Sequence, residues 1–211
     1  MLVMIDPSQS LNKEERLILF MRHTQYPIGH IFIERHSPRA LSDEIAQQEV
    51  MSLFEAARWA PSSSNFQPWR FLYAMKDDEH WDTFFNLLAK GNQIWAKNAG
   101  VLVVIISKRF DEDKGREMPT HIFDTGAAWM GLALQAQMMG LRAHGMAGFD
   151  YEKAREDLMV PEEYDVCAMA AVGRPADKKI LPEKLQEREV LSSRKAVSEI
   201  AFRRTFSNTV K

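Results

Sequence analysis

Two short apolar runs constrain this chain most. Val101–Ser107 is strand-sized and rich in β-branched residues, and Val166–Val172 is a second apolar run of the same length. Neither alternates with polar residues, so both read as strands covered on both faces. A covered sheet needs helices on its two sides. The stretch from Thr120, a potential cap, to about Met139, with Gly140 just beyond, has helical length and composition. Its small and apolar residues (Ala127, Ala128, Met130, Gly131, Leu132, Ala133, Leu134, Met138) occupy more than one face, which predicts burial in a core or between subunits.

Other elements follow from period and punctuation. Val50, Leu53, Phe54 and Ala57 share a helical face within Gln47–Ala60, which Pro61 ends. Trp69–Met75 reads as a strand and Glu79–Lys90 as an aromatic-rich helix. Arg142–Ala147 reads as a weak strand and Tyr151–Leu158 as a helix. Leu11–Arg22 has helical composition and belongs to an N-terminal extension of about 30 residues, broken by Pro27 and Gly29. Helices and strands do not alternate strictly, so the fold class is α+β.

The length of 211 residues suits one compact domain over residues 31–211 after the extension. A net charge of -2 argues against a nucleic-acid partner. No apolar run reaches the ~20 residues of a bilayer span, and the N-terminus lacks the pattern of a secretory signal. A cytoplasmic protein is expected. The single cysteine, Cys167, reads as a buried small hydrophobe.

Three segments carry chemistry. In Arg35-His36-Ser37-Pro38-Arg39, two arginines and a hydroxyl within five residues can clamp a phosphate; such a cluster is also common as a solvated surface. In Pro61-Ser62-Ser63-Ser64-Asn65-Phe66-Gln67-Pro68, Asn65 and Gln67 offer amide donors and acceptors between a helix and a strand. The alternative is a hydroxyl-capped turn. In Gly145-Met146-Ala147-Gly148-Phe149-Asp150, two glycines permit close backbone approach to a flat ligand, or make a plain strand-to-helix turn. Trp95, Phe123 and Trp129 are candidates for a pocket wall, with core packing the stronger expectation.

Taken together, these segments resemble the FMN-dependent nitroreductase family. The match runs from about Ile31 to the C-terminus. It rests on Arg35–Arg39 and Glu55–Trp69, with support from Asp124, Met139-Gly140-Leu141, Gly145–Asp150, Val160–Tyr164 and Gly173-Arg174-Pro175. The resemblance implies a mixed sheet wrapped by helices, an intertwined homodimer, and two FMN sites between subunits. Arg35, His36, Ser37 and Arg39 would hold the phosphate and ribityl end, joined by Arg194. Pro61, Ser62, Ser63 and Asn65 would come from the partner subunit. Gln67 would meet the ring edge, and Ala147 and Gly148 would lie over the flavin face. The implied reaction takes electrons from NAD(P)H to a nitroaromatic or quinone-like acceptor in a ping-pong cycle at one shared site. No side chain is assigned as catalytic acid, base or nucleophile, and no metal is implied. Related architectures carry out specialised flavin reactions such as dehalogenation or flavin fragmentation, and a non-enzymatic flavin-binding protein is a further alternative. The chain departs from the pattern at Pro38, in the short charged segment Lys108–Pro119, and at Arg194-Lys195, where Lys195 has no assigned role.

Overall fold

A computed structural model of the chain describes residue 22, residues 24–113 and residues 115–206. Its contacts divide into two units, one formed by Arg35–Glu189 and the other by the two ends of the chain, 1–34 and 190–211. The unit of the ends contains helix α1 (His30–Glu34) and a 3-10 turn at Val197–Glu199. There the Arg22 guanidinium donates to the Ile33 carbonyl at 2.6 Å, and Val197 N–H donates to the Gln25 side chain at 2.7 Å. The helix expected over Leu11–Arg22 lies outside the described residues except for Arg22.

The larger unit runs β1 (Leu41–Ser42), α2 (Gln47–Arg58), β2 (Trp69–Met75), α3 (Trp81–Phe85), α4 (Lys90–Ala96), β3 (Val101–Lys108), β4 (Phe110–Asp111), β5 (Arg116–Glu117), α5 (His121–Met138), β6 (Arg142–Met146), α6 (Tyr151–Asp157), β7 (Tyr164–Pro175) and α7 (Glu183–Gln186). The sheet runs β2–β3–β7. Strand β7 also pairs with β6 over Met169–Gly173 and with β1 at Arg174 and Pro175. Helix and strand mix as expected of an α+β fold, while every pairing among the described residues is antiparallel. No helix among the described residues is long and apolar enough to cross a membrane.

The period of two along β3 divides the core. Leu102, Val104 and Ile106 pack on one face with Trp81, Phe84, Leu87, Leu88 and Trp95. Val101, Val103 and Ile105 pack on the other with Val50, Leu53 and Ala57 of α2 and Leu132, Ala133 and Ala136 of α5. Burying each such Val or Leu contributes roughly 1.5–3 kcal/mol relative to exposure. Helix α5 ends in a Schellman motif: Gly140 takes φ +72°, Gly140 N–H donates to Gln137 and Leu141 N–H to Ala136.

Several expectations are corrected. The single helix over Glu79–Lys90 is two, α3 and α4, because the chain between them bonds elsewhere. Leu88 bridges Phe149, Asp150 N–H donates to the Leu87 carbonyl and Ala89 N–H to the Gly148 carbonyl. The strand expected at Val166–Val172 extends over Tyr164–Pro175. Cys167 is half-buried rather than buried. Ala168 opposes Ile105 and Val166 opposes Ile106, so Cys167 is the extra residue of a bulge. Desolvation, aided by Asp165, pushes its thiol up to about 11, so it stays protonated at neutral pH.

Candidate functional site

Residues Arg35–Arg39 precede β1 at the Pro175 end of β7. The anchor is local: Leu41 pairs with Pro175, and Ala176 N–H donates to the Ala40 carbonyl. The Arg35 guanidinium donates to Ser37 Oγ at 3.2 Å, which brings a cation and a hydroxyl to one point at the surface. Arg39 behaves differently. Its backbone N–H and that of Ala40 donate to Glu189 Oε2 at 2.9 and 3.4 Å, and its guanidinium pairs with Glu189 Oε1 at 3.4 Å. The Glu189 side chain is only 8% exposed. A carboxylate thus already occupies donors that a phosphate would need. Nothing in the sequence marks this partner, which lies 150 residues away from Arg39.

His144 of β6 supports the same segment. Its Nδ1 lies 2.9 Å from the Pro38 carbonyl, which an Nδ1–H donates to, and its ring tilts against Trp95 at 4.6 Å. Burial lowers its pKa below 6.5, with Arg39 acting in the same direction and the Pro38 carbonyl and Glu189 acting against it. This neutral imidazole went unremarked in the sequence because one histidine in a weak strand carries no pattern.

The loop 61–67 lies at the opposite end of β7. Trp69 pairs with Ser107, Lys108 N–H donates to the Pro68 carbonyl, and Lys108 pairs with Tyr164, the first residue of β7. A strand of 12 residues rising about 3.4 Å per residue spans roughly 35 Å. Within one chain, therefore, loop 61–67 and Arg35–Arg39 do not meet.

The loop is strained. Ser64, Asn65 and Gln67 have φ of 53°, 56° and 51°. The left-handed region costs a residue with a Cβ roughly 1–2 kcal/mol, less for Asn. Internal bonds offset part of that: Gln67 N–H donates to Ser62 Oγ at 3.0 Å, and the Gln67 amide donates to the Asn65 carbonyl at 2.9 Å. The hydroxyl turn considered from sequence is thus present, in a form under strain. Outside the loop, Ser63 N–H donates to Asp124 Oδ2 at 3.1 Å.

Ala147 and Gly148 follow β6. The space beside the two neighbouring glycines is filled by the protein itself. A Cβ on Gly145 would meet the Trp129 ring at 3.2 Å, and one on Gly148 would meet Asn92 Nδ2 at 2.9 Å. Asn92 also donates to the Gly148 carbonyl at 2.9 Å and fixes this turn. Trp95 is core and Trp129 packs against core, whereas Phe123 is 81% exposed and is not a core residue of this chain. Arg194 belongs to the unit of the chain ends, where its guanidinium donates to Ser192 Oγ at 2.7 Å. A separate groove of about 350 Å³, lined by Ile122, Tyr151, Glu152, Arg155, Asp165, Val166 and Cys167, contains none of the expected ligand-binding residues.

Comparison with known proteins bears on this geometry. The Nitroreductase family model matches residues 33–90 and 74–174. The chain is 44% identical to a protein solved as an oxidoreductase containing FMN, covering 89% of this chain and 97% of that one, with a TM-score of 0.86. It is 26% identical to an FMN-dependent nitroreductase from Clostridium difficile, covering 75% of this chain and 95% of that one, with a TM-score of 0.57. A protein of Archaeoglobus fulgidus, provisionally named NADH dehydrogenase/NAD(P)H nitroreductase, is 27% identical and matches 69% of this chain and 83% of its own.

Proposed function

This chain belongs to the nitroreductase family, and from that premise we propose that it is a cytoplasmic, FMN-dependent oxidoreductase that works as a homodimer. It takes electrons from NAD(P)H and passes them to a small nitroaromatic or quinone-like acceptor in a ping-pong cycle. The observation that carries this reading is the placement of Arg35–Arg39 and the loop 61–67 at opposite ends of β7. A second copy, turned about a two-fold axis, can bring the loop of one chain to the arginines of the other.

The residues present fit FMN. Arg35 and Ser37 meet and suit a phosphate, which takes charge-assisted bonds from a guanidinium and a hydroxyl; His36 lies between them in the sequence. Arg39 is neutralised by Glu189, so its free donors suit uncharged ribityl hydroxyls or the ring edge. Pro61, Ser62, Ser63 and Asn65 are supplied by the partner chain, Gln67 faces the ring edge, and Ala147 and Gly148 present backbone over the ring. Bound FMN supplies the hydride and electron transfer. The protein's part is to hold the phosphate, orient the ring, and leave one face open for donor and acceptor in turn.

The test is an absorption spectrum of the purified protein followed by anaerobic titration with NADH and NADPH. A yellow protein that bleaches with either nucleotide and recovers its colour with a quinone supports the reading. Bound flavin that neither nucleotide reduces overturns it.

A further inference from the structure

The flavin reading needs the loop 61–67 to keep a costly shape on the surface of a free chain, and we infer that Asp124 is the positioning residue that presets it. The inference rests on that reading and extends it to a residue inside the protein. Two of the three left-handed residues, Asn65 and Gln67, carry side-chain amides, and that of Gln67 is the one proposed to face the ring edge. The internal bonds of the loop tie its members to one another, whereas Ser63 N–H to Asp124 Oδ2, at 3.1 Å, ties it to helix α5.

Asp124 is 4% exposed. A buried carboxylate is costly unless its charge is compensated. Here the compensation comes from the Thr120 hydroxyl at 3.1 Å, from Ser63 N–H, and from its place in the first turn of an 18-residue helix, the positive end of the helix dipole. The charge makes the bond to Ser63 stronger than a neutral acceptor would. The first turn of α5 is itself fixed to the end of β3. Ser107 Oγ donates to the His121 carbonyl at 2.9 Å, accepts from Thr125 Oγ1 at 2.8 Å, and lies 3.0 Å from His121 Nδ1. Sheet, helix, carboxylate and loop therefore form one connected support, of the kind that holds ligand-contacting groups to sub-ångström tolerance.

Substitution at Ser63 isolates the bond without disturbing the core. Ser63 opens the 3-10 turn, where proline is tolerated, and Ser62 at φ -148° and ψ 154° has the extended backbone that a following proline requires. Ser63→Pro removes the N–H donor; Ser63→Ala removes the hydroxyl and keeps the donor. In full-length protein titrated with FMN, Ser63→Pro should raise the Kd about tenfold or more above that of Ser63→Ala, the scale of a hydrogen bond to a charged group. In parallel, Asp124→Asn, which keeps an acceptor oxygen, should bind FMN at least about tenfold tighter than Asp124→Leu. The visible circular dichroism of the bound flavin should change in the Pro and Leu variants. Equal Kd values and identical flavin spectra for Ser63→Pro and Ser63→Ala would overturn the inference even if Asp124→Leu fails to fold. A parent protein that takes up no FMN would instead bring down the flavin reading, and the inference with it.

Discussion

Single side chains show how the local chemistry is divided at Arg35–Arg39. The Arg35 guanidinium donates to the Ser37 hydroxyl, while Arg39 is held by Glu189. Arg35→Ala should therefore weaken FMN binding by about 1.5–3 kcal/mol, or roughly 10- to 150-fold in Kd. Fluorescence titration measures this, and unchanged copurification of FMN would show the phosphate to lie elsewhere. His144 adds a dependence on pH. Burial disfavours its imidazolium, so the folded-state pKa lies below 6.5. The unfolded chain then takes up the proton first as pH falls. Stability should be complete above about pH 6.5 and decline below it until His144 protonates in the folded state, with a slope of at most about 1.4 kcal/mol per pH unit for one proton. Denaturant midpoints measured across this range should flatten in His144→Gln; an unchanged slope would assign the effect to other groups.

Among the elements, α2 and α5 pack unusually closely. A Cβ on Gly131 of α5 would come within 3.0 Å of the Ala56 carbonyl oxygen and 3.5 Å of Ala57 Cα, both backbone atoms of α2. Glycine inside a helix costs about 1 kcal/mol relative to alanine, and here it permits the two backbones to approach. Gly131→Leu should destabilise the protein by about 1–3 kcal/mol through overpacking, seen as a lower Tm by calorimetry. The loop 61–67 follows α2 and Asp124 lies on α5, so the spacing of the two helices bears on the relation of loop to carboxylate.

At the scale of the molecule, α5 has an apolar face that the described residues leave uncovered. Ile122 is 55% and Phe123 81% exposed, Met130 and Met138 lie further along, and among the described residues nothing lies within 4 Å of where a Cβ on Gly126 would sit. An apolar, small-residue helix face of this kind suits the interface of the proposed homodimer. Phe123→Lys should shift the protein from dimer to monomer in sedimentation velocity and release FMN in the same step. A monomer that keeps its flavin would show the cofactor site to be complete in one chain.

Patterns within a few residues were enough for β2, β3, α2, α5 and the α+β class, because burial on two sides forces apolar runs and helical faces that composition alone displays. The motifs at Arg35–Arg39 and Ser62–Gln67 were visible for the same reason: their chemistry lies in consecutive residues. Three-dimensional packing decided the rest. The break between α3 and α4 depends on backbone bonds to residues 148–150, the ion pair of Arg39 on a glutamate from the far end of its unit, and the neutrality of His144 on the burial around it. The bulge at Cys167 depends on the register between β3 and β7. Each of these is a long-range pairing, whose energy comes from which distant groups share a dry space, and a one-dimensional pattern contains no term for that.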